Sequence, residues 1–557
     1  MKKILLLLMM YVFNIKGQNE QPPKLVVGIV IDQMRYDYLI KFQKNFSKGG
    51  FIKLMNEGAF FKNVHYNYIP TYTAPGHASI YTGSTPRYHG IIANDWFDKK
   101  TGKEMYCVKD TFVQSVGTKN KSGKMSPKNL LANTITDELK LMYKNQCKVI
   151  SISIKDRSAI LPGGHMADAA YWWDDKSGDF ISSTFYMKQL PDWLIKFNQL
   201  KYPESYLSQP WQLLLSKDKY LSTLPDSNQY EESIIKNTPP KFSYNFKKQI
   251  DEKKYAVLKG TPYGNSILID LAKECVLNEK LGKHENTDFL CVSFSSTDYI
   301  GHYYGTESLE LEDAYYRLNI DIANLITFLD KNIGHDNYTL FITADHAAAY
   351  NTNYMKDNKF NVSYFSEQKL FRDVKIFCQN KFGDSTIIAN VSNGQIFFNA
   401  MQISKKNISK SNLETDIKSF CLMYPTITEA YTSSELSVDY SDNFTPYGMA
   451  CKGYSPNKSG DIVFILQPQC MDYEEKGTTH GTAYNYDTHV PLILYGKGIK
   501  QMYSIKFYKI TQLAPTLSYL LNINIPNTCF DKPIEELFSK ENTTNQSENK
   551  GYYFNDK

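Results

Sequence analysis

Four short apolar runs, each breaking off at charged or polar residues, constrain the fold of this chain more than any other feature. Leu25–Ile31 runs into Asp32, and Lys148–Ile154 runs into Lys155-Asp156-Arg157. Asp288–Phe294 leads to Ser295-Ser296-Thr297-Asp298, and Tyr338–Thr343 leads to Asp345-His346. Runs of this length, dense in Val, Ile and Phe, fit strands covered on both faces. The intervening stretches read as helices, with Asn129–Lys144 and the long amphipathic Ser308–Leu329 as examples. Strand–helix alternation predicts an α/β sandwich around a mostly parallel central sheet. With 557 residues the chain can bury a large core.

Two longer regions interrupt this rhythm. Residues from about 163 to 260 are rich in Trp, Tyr, Pro and Lys, and residues from about 355 to 475 include a mixed αβ-like stretch. Both read as insertions on one domain spanning residues 18–557, because polar residues of interest occur before and after them. The Ser/Asn/Lys-rich tail from Lys540 is expected to be mobile. At the other end, Lys2 and Lys3 precede an apolar run from Ile4 to Phe13 and then Asn14-Ile15-Lys16-Gly17-Gln18. That is the pattern of a signal peptide, here residues 1–17, and the run is too short to span a bilayer comfortably. It predicts a periplasmic or secreted protein with no stable membrane insertion after processing.

Composition narrows the function classes. Hydrophobic residues make up 42% and charged residues 22%, as in an ordinary soluble protein. Loss of residues 1–17 removes three lysines and no acid, so the formal charge falls from +5 to +2. Nothing in that balance points to nucleic-acid or membrane partners. The nine cysteines include no CxxC or CxC pair, which argues against a thiolate zinc cluster.

In open α/β sheets, ligands bind beyond the carboxyl ends of the strands. Four such ends deliver Asp32, Lys155 with Arg157, Asp298, and Asp345-His346 to one edge. An isolated acid there means little, since about half of such residues merely cap the next helix, but four converging ends are a better signal. Asp298 and His302 stand four apart, which places both on one face of a helical turn, as two ligands of one ion require. Asp345 and His346 are adjacent and can share an ion only if the backbone bends sharply. Gly477-Thr478-Thr479-His480-Gly481 offers a third histidine in a small flexible loop. Three His and three Asp can hold two zinc-like ions. His65, His89, His165 and His489 have no carboxylate at ligand spacing, and His489 reads as a strand-entry residue before Val490–Leu494.

The segment Thr71-Tyr72-Thr73-Ala74-Pro75-Gly76-His77-Ala78-Ser79 joins a loop to a helix, with Pro75 in the first turn. Thr73 would sit near the N-cap, where backbone N–H groups and the helix dipole favour an anion. A plain threonine cap is the simpler reading. A hydroxyl beside a divalent cation, however, is a competent nucleophile at neutral pH.

Taken together, Asp32, the Thr73–Ser79 turn, Ser296–His302, Thr343–His346 and Thr479–Gly481 resemble the alkaline phosphatase superfamily in order and spacing. The resemblance covers roughly residues 25–525. Within the superfamily it is similar to the exported, phosphate-irrepressible bacterial phosphatases of the PafA type. It implies an alkaline-phosphatase-like three-layer sandwich with inserted cap segments, and a phosphomonoesterase working through a phospho-threonine. Thr73 would be the nucleophile, and Asn94, Lys155 and Arg157 would hold the phosphoryl oxygens. Asp298, His302 and His480 would hold one of two zinc ions; Asp32, Asp345 and His346 would hold the other, which also binds Thr73. The implied substrates are small phosphate esters. One departure is Ala347, where many relatives have Gly; Ala is small, so only a slight change in the turn is expected.

Rival readings differ at identifiable residues. A phosphodiesterase or nucleotide pyrophosphatase can share the ligands, Thr73 and Asn94, but Lys155 and Arg157 favour monoesters. A sulfatase needs a modifiable Cys or Ser in a C/S-x-P-x-R turn, whereas this turn is Thr73-x-Pro75-x-His77. A zinc-binding protein without catalysis would not need every catalytic position filled.

Overall fold

The four apolar runs are strands, and they lie side by side in the middle of one large sheet. The computed structural model describes residues 21–538, except 223, 439–443 and 473–474. The signal-peptide segment and the tail beyond Lys540 lie outside the described residues. In chain order the central strands are β1 (Leu25–Ile31), β2 (Ala59–His65), β3 (Val149–Ser153), β4 (Ala169–Asp174), β5 (Asp288–Phe294), β6 (Tyr338–Thr343) and β7 (His489–Gly496). They are ordered β2-β7-β6-β1-β5-β3-β4. β6, β1, β5, β3 and β4 are mutually parallel, and β7 runs antiparallel to both β6 and β2. Every residue of β1, β3, β5 and β6 is buried, as continuous apolar runs require. Leu25 stands opposite both Tyr338 and Asp288, so the strands end level and deliver the residues after them to one edge.

The helices that position the site are α1 (Thr73–Thr82), α2 (Ile135–Met142), α3 (Asp156–Gly163), α4 (Ser296–Tyr304) and α5 (Leu309–Asn332). Helix α2 is shorter than the Asn129–Lys144 expected from sequence. Thr134 caps it reciprocally: its Oγ1 accepts from the Asp137 N–H at 3.0 Å, and Asp137 Oδ2 accepts from the Thr134 N–H at 2.9 Å. Ser308 Oγ accepts from the Leu311 N–H at 3.2 Å and starts α5 at the expected place. Strand β4 shows that both faces are covered. Ala170 and Trp172 join Ala74, Ala78, Ala159 and Leu161 of α1 and α3, while Tyr171 and Trp173 join the main core on the opposite face.

The two interrupting regions differ from the sequence expectation in detail. Residues 169–183 do not leave the core: β4 pairs with β3, and Asp179–Ser183 pairs antiparallel with β4. The Trp and Tyr content of this stretch belongs to a buried aromatic strand. In the 355–475 region, Ile388–Ser392, Gln395–Phe398, Ile462–Leu466 and Ile427–Thr432 form a second, antiparallel sheet in that order. Helices Glu367–Phe382 and Lys410–Leu422 cover it with Leu370, Val374, Leu413 and Ile417, giving an apolar cluster separate from the main core. All nine cysteines are buried and unbridged.

Candidate active site

The level strand ends bring the acids together. Asp32 follows β1 and Asp345 follows β6, and both are fully buried. Asp298 lies in the first turn of α4, just beyond β5, with His302 one turn further along. His302 Nε2 is 3.1 Å from Asp298 Oδ1, as the four-residue spacing predicts. His480 Nε2 is 3.6 Å from the same oxygen, and His346 Nε2 is 3.4 Å from Asp32 Oδ1. The rings of His346 and His480 stack, with centroids 3.4 Å apart.

Each imidazole is fixed from behind by a carbonyl, which can only accept. His302 Nδ1 donates to Thr478 O at 2.7 Å, His480 Nδ1 to Thr71 O at 2.8 Å, and His346 Nδ1 to Ala347 O at 3.0 Å. This leaves all three Nε2 atoms turned toward the carboxylates, the arrangement of metal-ligating histidines. Asp32 Oδ1 and Asp345 Oδ2 are buried and accept no hydrogen bond. Orphaned carboxylate oxygens beside inward-facing Nε2 atoms fit divalent cations with N/O preference.

Ligand atoms of Asp298, His302 and His480 lie within 4.8 Å of one another, the first triad expected from sequence. The second group of this kind is Asp32, Asp298 and His346, so Asp298 stands where Asp345 was expected. Lys155 accounts for the difference. Its ammonium lies 2.8 Å from Asp32 Oδ2 and 2.5 Å from Asp298 Oδ2, drawing those carboxylates together. Asp345 remains alongside, with Oδ2 3.6 Å from His346 Nε2.

The electrostatics follow from this crowding. Burial, reinforced by Asp298 and Asp345, pushes the Asp32 carboxyl up. Burial acts the same way on Asp298, but His302 and Lys155 outweigh it and hold that carboxyl well below the usual range. For His346, burial alone would lower the pKa; Asp345 and Asp32 reverse this and raise it to about 9. Burial and the neighbouring His346 hold His480 well below its ordinary value.

Thr73 is the first residue of α1, and Tyr72, which makes no side-chain cap, precedes it. Thr73 Oγ1 lies 3.5 Å from His346 Nε2. Gly76 allows this approach: a Cβ there would sit 2.2 Å from Asp345 O, so any larger residue would push α1 off the end of β6. Asn94 Oδ1 accepts from the Ala74 N–H at 2.9 Å. Lys155 and Arg157 do not lie in one extended stretch. Lys155 is the extended residue preceding α3, whereas Arg157 lies in that helix's first turn. Arg157 Nη1 donates to Tyr106 Oη at 3.1 Å, and Tyr106 Oη donates to Asp156 Oδ1 at 2.5 Å. Ala347 has no left-handed φ, and its N–H donates to Asp487 O at 2.8 Å, so the turn after His346 accommodates Ala.

Three buried residues add contacts that sequence reasoning missed. Gln33 donates from Nε2 to Asp298 Oδ1 at 2.8 Å and from its backbone N–H to Asp345 Oδ1 at 3.2 Å. His77 donates from Nδ1 to Thr73 O at 2.8 Å and lies 3.3 Å from Asp345 Oδ2. Asp487 Oδ2 accepts from the N–H groups of Gly481 and Thr482, fixing the His480 loop. His77 is part of the Thr73–Ser79 turn, which was a signal in itself; the other two carry no local signal.

The family described as type I phosphodiesterase / nucleotide pyrophosphatase matches residues 26–489. A protein named calcium-transporting ATPase from Myroides odoratus is 41% identical over 93% of this chain and 95% of its own. Alkaline phosphatase PafA of Elizabethkingia meningoseptica is 39% identical over 93% of this chain and 95% of its own. Alkaline phosphatase PhoV of Synechococcus elongatus is 40% identical over 93% and 94%. The crystal structure of PafA superposes with a TM-score of 0.90 at 37% identity, covering 93% of this chain and 99% of that one. A solved PafA variant carries substitutions at a threonine, an asparagine, a lysine and an arginine. The chain belongs to the type I phosphodiesterase / nucleotide pyrophosphatase family, in its group of PafA- and PhoV-like alkaline phosphatases.

Proposed function

We propose that this alkaline phosphatase homologue hydrolyses phosphate monoesters to alcohol and inorganic phosphate through a phospho-threonine at Thr73. The observation that carries the reading is Thr73 Oγ1 at the head of α1, 3.5 Å from His346 Nε2 and beside three buried aspartates. Thr73 gives up its hydroxyl proton as Oγ attacks phosphorus, the bond to the departing alkoxide breaks, and that oxygen takes up a proton from solvent, so that the step is proton-neutral overall. Water then attacks the phospho-threonine and restores the hydroxyl. Asn94, Lys155 and Arg157 hold the remaining phosphoryl oxygens; the same four residue types, in the same order, are those substituted in the PafA variant. Asp298, His302 and His480 would hold one zinc, and Asp32, Asp345 and His346 the other, with Thr73 as a further ligand. When bound, two such ions supply Lewis-acid charge for the attacking, departing and non-bridging oxygens.

The reading follows the two phosphatase names and not the transporter name, since Thr73, Asn94, Lys155 and Arg157 match in type and order the residues substituted in the PafA variant. Export belongs to the same proposal and rests on residues 1–17; the mature protein should begin near Gln18. The family description names diesterases, but a diester replaces one charged oxygen by an alkoxy group where Lys155 and Arg157 place positive charge. The test compares rates on a monoester and a diester, with zinc measured on the same sample. Monoester preference with about two zinc ions per chain, lost on chelation, is expected. A diester preference that Arg157→Ala leaves unchanged would overturn the assignment.

A further inference from the structure

Lys155 shares an aromatic neighbour with a second lysine. Tyr299, next to Asp298 on α4, has the Lys155 ammonium 5.0 Å from its ring centroid and the Lys259 ammonium 5.0 Å from the same point. The two nitrogens therefore stand at most twice that distance apart. Lys155, Arg157, Lys259 and Tyr299 line a cavity of about 340 Å³. Lys259, Tyr299 and Lys176 also line a second cavity, of about 960 Å³, that extends past Lys236 and Lys253. The two cavities adjoin along Lys176, Lys259 and Tyr299, the first bounded by Lys155 and Arg157 and the second by exposed lysines, and together they are treated as one groove.

The acids along this groove are already engaged. Asp174 accepts from the side chains of Thr118, Asn120 and Ser122, and Asp156 accepts from Tyr106. Asp175 pairs with Lys259 at 2.6 Å, and Glu252 pairs with Lys254 at 2.6 Å. Among the described residues, Lys176, Lys236 and Lys253 pair with no carboxylate. Residues 236–259 contain seven lysines and two acids, in a chain whose overall charge is close to balanced. A local cation excess inside a walled groove focuses its field on anions.

We propose that this groove binds a second phosphate of the substrate. The preferred class is then a compact bisphosphorylated sugar or polyol, with one phosphate at Thr73 and the other against the unpaired Lys176 and against Lys259, whose ammonium it would share with Asp175. The inference rests on the phosphatase reading and names the substrate class for the same site. Lys259 has a side chain only 20% exposed, so it contributes more per contact than the outer lysines.

The test compares fructose 1,6-bisphosphate with fructose 6-phosphate and p-nitrophenyl phosphate. The native enzyme should show a lower KM for the bisphosphate, rising steeply with salt. Lys259→Gln should raise that KM about tenfold, as expected for a hydrogen bond to a charged group, and change the p-nitrophenyl phosphate KM little. Lys236→Gln combined with Lys253→Gln should raise it about two- to fivefold, in keeping with exposed pairs. Titration calorimetry of the bisphosphate into Thr73→Ala should show the same loss of affinity with each groove variant. Equal native KM values for bisphosphate and monophosphate would overturn the groove proposal. So would groove variants that leave bisphosphate binding unchanged. If Lys259→Gln misfolds, the outer pair decides. Failure of the native enzyme to hydrolyse p-nitrophenyl phosphate would instead overturn the phosphatase reading.

Discussion

Replacing Lys155 by Ala should destabilise the zinc-free protein far more than the zinc-loaded one. The ammonium bridges two carboxylates at 2.8 and 2.5 Å, and Lys155, Asp32 and Asp298 are all nearly inaccessible to water. At an effective dielectric of about 20, contacts this short are worth about 6 kcal/mol each in Coulomb energy, much of it offset by desolvation. Removing one partner while leaving the others buried typically costs about 3–5 kcal/mol. For about 520 ordered residues, the unfolding entropy near the midpoint is about 1.1 kcal/mol per kelvin, so the zinc-free Tm should fall by about 3–5 °C. Bound cations would neutralise the same carboxylates, and the loaded Tm should then fall by only about 1 °C. The thermodynamic cycle also requires Lys155→Ala to bind zinc more tightly than the native chain, because a competing cation has gone. Scanning calorimetry with chelator and with saturating zinc, plus a competition titration for zinc, measures all three quantities. An equal Tm loss in both states, or weaker zinc binding by the variant, would show that Lys155 serves the fold and not the charge balance of the carboxylates.

Two further outcomes depend on single residues. Thr73→Ala should lose most activity while Thr73→Ser keeps a large share, and acid quenching during turnover should trap phosphate on residue 73; a Thr73→Ala enzyme with near-normal kcat/KM would make water the direct nucleophile. Glu231 is 1% exposed with Oε2 unpartnered, and burial followed by repulsion from Glu310 pushes its carboxyl up to about 9. A carboxyl raised in the folded state binds its proton more tightly there, so its stabilisation is complete below about pH 4.5 and lost as pH rises toward 9. Glu231→Gln should therefore flatten the fall in Tm between pH 6 and 9 at saturating zinc, and parallel curves for variant and native protein would refute this.

Features with a local cause were legible in the sequence. Strands β1, β3, β5 and β6 are continuous apolar runs because parallel strands are buried on both faces. Those four turned out to be adjacent, so the residues after them had to meet. Asp298 and His302 were legible because helical spacing puts them on one face. Contacts made across the sheet were not. Lys155 lies 123 residues from Asp32 and 143 from Asp298, and no spacing rule joins them. Gln33 reaches an acid hundreds of positions away, and Asp487 fixes a loop whose importance only the fold reveals; both look like ordinary polar residues in their own segments. Strand β4 was missed because its aromatic content suggested an excursion, when Tyr171 and Trp173 were filling one face and Ala170 and Trp172 the other. In the second sheet, Ile388–Ser392 mixes buried and half-buried residues over only five positions, too short for its period to stand out.

The phosphoryl-side residues share a design that reconciles their structural contacts with the proposed chemistry. An ammonium carries three donors. Lys155 commits two of them to Asp32 and Asp298, which leaves a third for an oxygen on the open side. Arg157 commits Nη1 to Tyr106, while its Nε is buried and without a partner. Asn94 commits its oxygen to the Ala74 N–H at the head of α1, which leaves the amide nitrogen to donate. Each side chain is thus held by part of its hydrogen-bonding capacity and keeps the rest unspent, so no rotamer need change when a phosphoryl group arrives. The Asn94 anchor is on the helix that carries Thr73, and the Lys155 anchors are on the acids that would hold the metal ions. On the proposed reading, the charges that recognise the phosphoryl oxygens are therefore positioned by the same contacts that position the nucleophile. Preorganisation of this kind accelerates reaction because the donors need no reorientation in the transition state. It also explains why a larger residue at Gly76 would disturb all of them: moving α1 moves Thr73 and the Ala74 N–H together, and Asn94 must follow or lose its anchor.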